Sequence, residues 1–187
     1  MLKKIAIALV VIVALILALA ATRPDTFSVE RRISIAAPPA KVMPLIADFH
    51  SWQSWSPWER LDPNMQRTFS GPASGQGAVY EWTGNSDVGR GRMEITENAP
   101  PSKVVIRLEF KEPLAVTNMT TFALTPTATG TDVSWTMHGP MLFVSKIMSV
   151  FMSMDTLIGK DFERGLASMK TVAEQPAPAT AAQSPAN

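Results

Sequence analysis

The chain has 187 residues, 46% of them hydrophobic and 18% charged, with 17 basic against 16 acidic side chains and a formal net charge of +1. That length suits one domain with a substantial core, and the balanced charge provides no field to hold nucleic acid. The lack of cysteine excludes disulfides, thiolate nucleophiles and cysteine-type zinc sites, and leaves the redox compartment open.

The first element follows "MLKK": an uncharged apolar run from Ile5 to Ala21. At about 1.5 Å per residue it reaches roughly 26 Å as a helix, the short end of what spans a hydrocarbon core. Residues 1–22 are therefore read as a membrane anchor. Ala18-Leu19-Ala20 has the small-x-small form of a cleavage site, which makes a signal peptide the alternative. Lys3 and Lys4 favour a cytoplasmic N-terminus and hence a single-pass protein with its domain on the periplasmic, extracytoplasmic side, although Arg23, Arg31 and Arg32 oppose that bias. At the far end, residues 174–187 ("EQPAPATAAQSPAN") contain nothing to bury and read as a disordered tail. The folded unit is residues 26–173.

"FSVERRISIAA" alternates Phe27, Val29, Arg31, Ile33 and Ile35 on one face, with Arg31 as the single break, until Pro38-Pro39 stops the strand. Val42, Met43, Leu45, Ile46 and Phe49 follow at helical spacing and predict a short helix to about Asp48, bent by Pro44. In "FHSWQSWSPWERLDP", Trp52, Trp55 and Trp58 share a side only if the segment is helical, so a second helix of about two turns is predicted between the prolines.

From Met65 the period becomes two. Inward positions fall at Tyr80 and Trp82, at Met93 and Ile95, at Val104, Ile106, Leu108 and Phe110, at Phe122 and Leu124, and at Val133, Trp135 and Met137. One-sided alternation in consecutive short segments predicts an antiparallel meander with one wet and one apolar face. Its cover begins after Gly139-Pro140, where Ile147, Phe151, Met154, Ile158, Phe162, Leu166 and Met169 recur at helical spacing. A break is expected near Ser153 to Asp155, with Asp155 as a candidate cap, and Gly159 and Gly165 each cost the helix about 1 kcal/mol.

The stretches "SIAAPPAKV", "WQSWSPWERLDPNM", "SGPASGQGAVYEWTGN", "VGRGRMEIT", "TPTATGTDVSWTMHG" and "MDTLIGKDFERGLASMK" resemble the START-like, or SRPBCC, superfamily over about residues 27–172. That superfamily includes polyketide cyclase/dehydrase-like and lipid-transport members, and the likeness is to its membrane-anchored bacterial proteins. The resemblance implies an α+β helix-grip fold, a curved antiparallel sheet wrapped around a long C-terminal helix, with a hydrophobic cavity between them. It does not imply one reaction.

The ligand-binding candidates are Trp55, Trp58, Tyr80, Trp82, Met93, Phe110, Phe122, Trp135, Met137, Met154 and Phe162, with Met148, Met152 and Met169 adding flexible surface. Rings mixed with methionine suit an adaptable apolar site, and an ordinary filled core is the alternative. Trp55 is assigned to packing the short helix and Trp58 to ligand or membrane contact. No catalytic residue, metal ligand or cofactor is assigned. His50 and His138 fall apart, and the glycine-bearing stretches match no phosphate-binding fingerprint. Glu81, Glu94, Tyr80 and Asp155 are loose candidates for an inward acid or base, the first two only if a bulge shifts register. Asp155, Lys160, Asp161 and Glu163 otherwise read as helix-surface charges, and the Asn118 sequon "NMT" as chance.

The leading functional reading is membrane-tethered binding of a hydrophobic small molecule or lipid. One alternative is a cyclase/dehydratase-like or hydrolytic enzyme acting on a bound hydrophobic substrate. Another is an envelope protein-interaction module working through the tryptophan segment, with its protein partner left open.

Overall fold

In the computed structural model, which describes residues 1–176, strand β1 (Thr26–Ile35) ends two residues before the Pro38-Pro39 stop and Pro39 opens α2 (Pro39–Ala47). Pro39 is suited there because the first helical turn needs no donor from it. The expected tail lies outside the described residues from 177 onward. Helix α1 (Leu2–Ala21) is long and apolar enough to cross a membrane, and Ala20 is its one buried residue.

Seven antiparallel strands form one sheet in the order β1-β7-β6-β5-β4-β3-β2. The others are β2 (Gln66–Ser70), β3 (Val79–Thr83), β4 (Arg90–Ala99), β5 (Lys103–Glu112), β6 (Val116–Thr127) and β7 (Gly130–Pro140). Consecutive strands from β2 to β7 are neighbours, as a meander requires, whereas β1 closes on β7 from Thr26↔Pro140 to Ile35↔Thr131. The connection from β1 to β2 must therefore run from one edge of the sheet to the other. That path carries α2 and the tryptophan segment across the apolar face.

The cover is α3 (Phe143–Met148) and α4 (Met154–Glu174), separated where a break was expected. The Ser153 hydroxyl, rather than Asp155, caps α4 by accepting from the Thr156 N–H at 3.1 Å. Asp155 instead sits in the first turn, where a carboxylate suits the positive end of the helix. Phe162, Leu166, Met169 and Ala173 are buried along α4. The break resets the helical phase, so α3 does not continue that stripe: Met148, Phe151 and Met152, expected on the inner face, are exposed.

Arg31, the break in the β1 pattern, is held by α4. Its Nε donates to Glu163 at 2.6 Å and its Nη1 to Asp155 at 2.7 Å. Asp155, Gly159 and Glu163 fall four residues apart on one face, and a Cβ at Gly159 would occupy the space of the guanidinium. The glycine that weakens the helix thus opens the slot in which strand and helix are tied. Glu163 therefore pairs across the fold, while Asp161 pairs with Arg164 within the helix.

Arg31 holds the Asp155 carboxyl below its ordinary value of 3.8. A carboxyl lowered in the folded state stabilises that state above its unfolded pKa and loses the effect as pH falls through the folded one. Protection of the amides in the first turns of α4, relative to their intrinsic exchange at each pH, should therefore fall as pH drops below about 4, and Asp155→Asn should show the low protection already at neutral pH. Exchange mass spectrometry across the pH series checks both arms.

Candidate functional site

The tryptophan segment is not one helix but two 3₁₀ turns, Phe49–Ser54 and Pro57–Arg60. Proline at 57 removes a donor and forces the chain to restart. The tighter winding suits the spacing, because residues three apart in a 3₁₀ helix stand over one another. Trp52 and Trp55 are buried and Trp58 is half-buried.

Their indoles close the end of α2. The Trp55 Nε1 donates to the Leu45 carbonyl at 2.7 Å and the Trp52 Nε1 to the Ile46 carbonyl at 3.0 Å. These are last-turn carbonyls that the helix cannot satisfy itself. The rings meet the sheet edge-on: Trp55 and Trp58 stand at 79° and 86° to Trp135, with centroids 5.6 and 5.7 Å away. Trp135 is stacked between Phe162 on α4 at 4.0 Å and Phe122 on β6 at 4.8 Å. This cluster fastens the crossing segment, the sheet and α4 together.

Beside it lies a cavity of about 350 Å³, within the range of small-molecule sites. Trp58, Tyr80, Trp82, Met93, Phe110, Trp135, Met137 and Met154, all expected ligand residues, border it. Trp55, Phe122 and Phe162, expected in the same wall, do not. They are fully buried against Trp135, which stands between them and the open volume. Met169 is likewise core, and Met148 and Met152 face outward.

The polar groups of the cavity differ from those expected. Glu81 pairs with Lys111, and Glu94 with Arg92 and Arg107 on the outer face of the sheet. Bulges do occur in β4, after Arg90 and after Ile95, but neither turns Glu94 inward. Asp155 belongs to the Arg31 tie. The acid buried at the cavity wall is Glu59, in the second 3₁₀ turn. Its Oε1 accepts from the Tyr80 hydroxyl at 2.7 Å and its Oε2 from the Arg67 Nε at 2.7 Å. Burial, and then the Glu59 bond, raise the Tyr80 hydroxyl well above the usual tyrosine value, so it remains a neutral donor. His50 stacks on Phe69 at 4.1 Å, away from His138, which is exposed on β7.

Asn118 and Thr120 also border the cavity and were not among the ligand-binding residues expected from sequence. Their signal was parity: they precede Phe122 and Leu124 in steps of two and so share the inner face of β6. The buried position of Asn118 also closes its glycosylation sequon to modification.

Residues 26–174 match the model of the family described as polyketide cyclase / dehydrase and lipid transport. No curated protein matches the sequence. Among solved structures, the chain is similar to a protein from Chromobacterium violaceum (TM-score 0.56, 16% identity, 82% of this chain and 100% of that one). It also resembles the di-domain ARO/CYC protein BexL of the BE-7585A biosynthetic pathway (TM-score 0.61, 16% identity, 86% of this chain and 54% of that one). A third likeness is to the Aha1 dimer from Colwellia psychrerythraea (TM-score 0.53, 20% identity, 79% and 96% covered). At such identities the likeness is one of fold: a curved sheet gripping a C-terminal helix.

Proposed function

Since the chain belongs to the polyketide cyclase/dehydrase and lipid transport family, we propose that it binds a hydrophobic small molecule or lipid beneath α4 while tethered to a membrane by α1. The observation that carries the binding reading is the cavity itself, a 350 Å³ space walled by Trp58, Trp82, Trp135, Met93 and Met137. Burial of apolar ligand surface there supplies about 25 cal/mol per Å². Methionine lets the wall adapt to differing shapes.

The tether reading is supported by what surrounds the cavity. Met141, Leu142 and Ser145 border it at the start of α3, and α3 packs against α1. Lys146 pairs with Asp25, and the Met141 N–H donates to the Asp25 carbonyl at 2.7 Å. On the same helix and the turn after it, Phe143, Val144, Met148, Phe151 and Met152 are exposed. Phe151, at 74% exposure, is the most open large hydrophobic side chain of the folded unit. An apolar surface continuous with a hydrophobic helix is suited to rest in a bilayer interface. The domain then lies on the side opposite Lys3 and Lys4.

A second reading, catalysis on a bound substrate, is favoured by Glu59 and Tyr80 at the wall. Both Glu59 oxygens are already engaged, by Tyr80 and Arg67, so this carboxylate is built as the hub of a polar brace rather than as a waiting base.

Trp58 separates ligand contact from packing. In a fragment of residues 26–176, Trp58→Ala should weaken binding of a neutral apolar fluorophore by about 1–3 kcal/mol, the worth of one large apolar contact, while shifting the melt little. Titration by energy transfer from the remaining tryptophans, beside a thermal melt, reads both. Unchanged binding with a large stability loss would return Trp58 to the core.

A further inference from the structure

The apolar cavity holds three buried polar atoms that nothing among the described residues satisfies: the Asn118 Oδ1, the Thr120 Oγ1 and the Trp135 Nε1. All three residues border the cavity and are at least nine-tenths buried. Buried polar groups are ordinarily paired, because leaving one unmet forfeits its hydration without return. Here the contrast is local: the indoles of Trp52, Trp55 and Trp82 each donate to a backbone carbonyl. Trp135 alone among the buried tryptophans keeps a free N–H.

All three stand on the wall formed by β6 and β7. Asn118 and Thr120 are two apart on the inner face of β6, and Trp135 stands on the neighbouring β7, opposite Phe122. Asn118 reaches this position because Gly139 stands beside it, where a Cβ would overlap the amide oxygen. An amide supplies both a donor and an acceptor whichever way it is turned, a hydroxyl supplies both, and an indole only donates. That set is complementary to a neutral hydroxyl or carbonyl oxygen. It is not complementary to an ion: among the described residues bordering the cavity are the acids Glu59, Asp87 and Asp161, and no lysine or arginine.

We infer that Asn118, Thr120 and Trp135 form a polar subsite that selects neutral amphiphiles carrying a hydroxyl or carbonyl group over carboxylates with the same tail. The subsite rests on the proposed role of the cavity as a ligand site. Its ligand lays an apolar body against the rings and methionines and turns one neutral oxygen to the β6–β7 wall. Among the described residues no lysine or arginine borders the cavity to pair with an anionic head, so fatty acids and phosphates are disfavoured.

The test uses the full chain in maltoside micelles, offered equimolar diazirine-bearing dodecanol and dodecanoate, photolysed and mapped by peptide mass. Adducts on α1 report how the micelle itself partitions the two probes. Adducts on β6 and β7 should show an alcohol-to-carboxylate ratio at least tenfold above that reference. In Asn118→Leu and Thr120→Val the ratio should fall toward the α1 value, while both variants melt at or above the parent because each removes an unpaired buried group. A ratio on β6 and β7 equal to that on α1 overturns the subsite and leaves the apolar site standing. A high ratio that survives both substitutions overturns it too, as does a lower melt with the ratio unchanged, which would make these groups structural. No adduct anywhere in residues 26–176 overturns the ligand reading on which the subsite rests.

Discussion

Trp55→Ala is expected to lower the stability of the fold by about 4 kcal/mol, within the range for emptying a buried aromatic position. Trp55 is 1% exposed, and its ring meets Trp52, Phe122 and Trp135. Its N–H also closes the Leu45 carbonyl at the end of α2. The truncation therefore removes the packing and leaves a buried acceptor unmet, two costs that add in the same direction. Trp55→Phe isolates the second: a ring remains, and a loss of about 1–2 kcal/mol is expected from the carbonyl and the smaller volume. Urea unfolding with the slope held constant measures both. A Trp55→Ala loss below that of Trp55→Phe would mean that α2 and the crossing segment are fastened by something else.

Trp135→Ala should cost about 3 kcal/mol, the lower end of the same range, despite the two stacked neighbours. The reason is that one side of Trp135 already borders open volume, so truncation enlarges an existing cavity rather than creating one inside a closed core. The distinctive outcome is rescue. A free indole molecule matches the vacated space between Phe122 and Phe162, and binding to the folded state alone raises stability with the logarithm of ligand concentration above its dissociation constant. Millimolar indole should raise the melting temperature of Trp135→Ala several-fold more than that of the parent chain. Equal shifts in the two would show that the site collapses when the ring is removed.

The strands were legible because the sheet has one wet and one apolar face, which imposes a period of two on Tyr80–Trp82, Val104–Phe110 and Val133–Met137. The break before α4 was legible for a similar local reason, in the Ser-Met-Asp start signal at Ser153. What stayed hidden depends on neighbours distant in sequence. Gly159 and Gly165 look like helix penalties until Arg31 and Trp135 are seen against them. Glu59 looks like a surface acid until the crossing segment brings it to Tyr80 on β3 and Arg67 on β2. Asn118 and Thr120 share the inward parity of Phe122, but their polarity hides them from any search for apolar alternation. The outward turn of Met148 and Met152 was missed because a helix break resets rotational phase, which spacing alone does not record.

Only four residues, Thr22 to Asp25, separate α1 from β1, and four residues fully extended reach at most about 14 Å. With α1 in a bilayer, such a leash keeps the cavity within one domain's width of a single leaflet. It excludes a shuttle that ferries cargo across an aqueous gap to a second membrane. Loading and release then become first-order steps whose rates do not change when the protein is diluted, because leaflet and cavity are parts of one tethered system. A receiver of the cargo must come to the same surface, by lateral diffusion or by docking there. Under the proposed tether, the short connection implies a stationary store or presenter, with throughput governed by its areal density in the membrane.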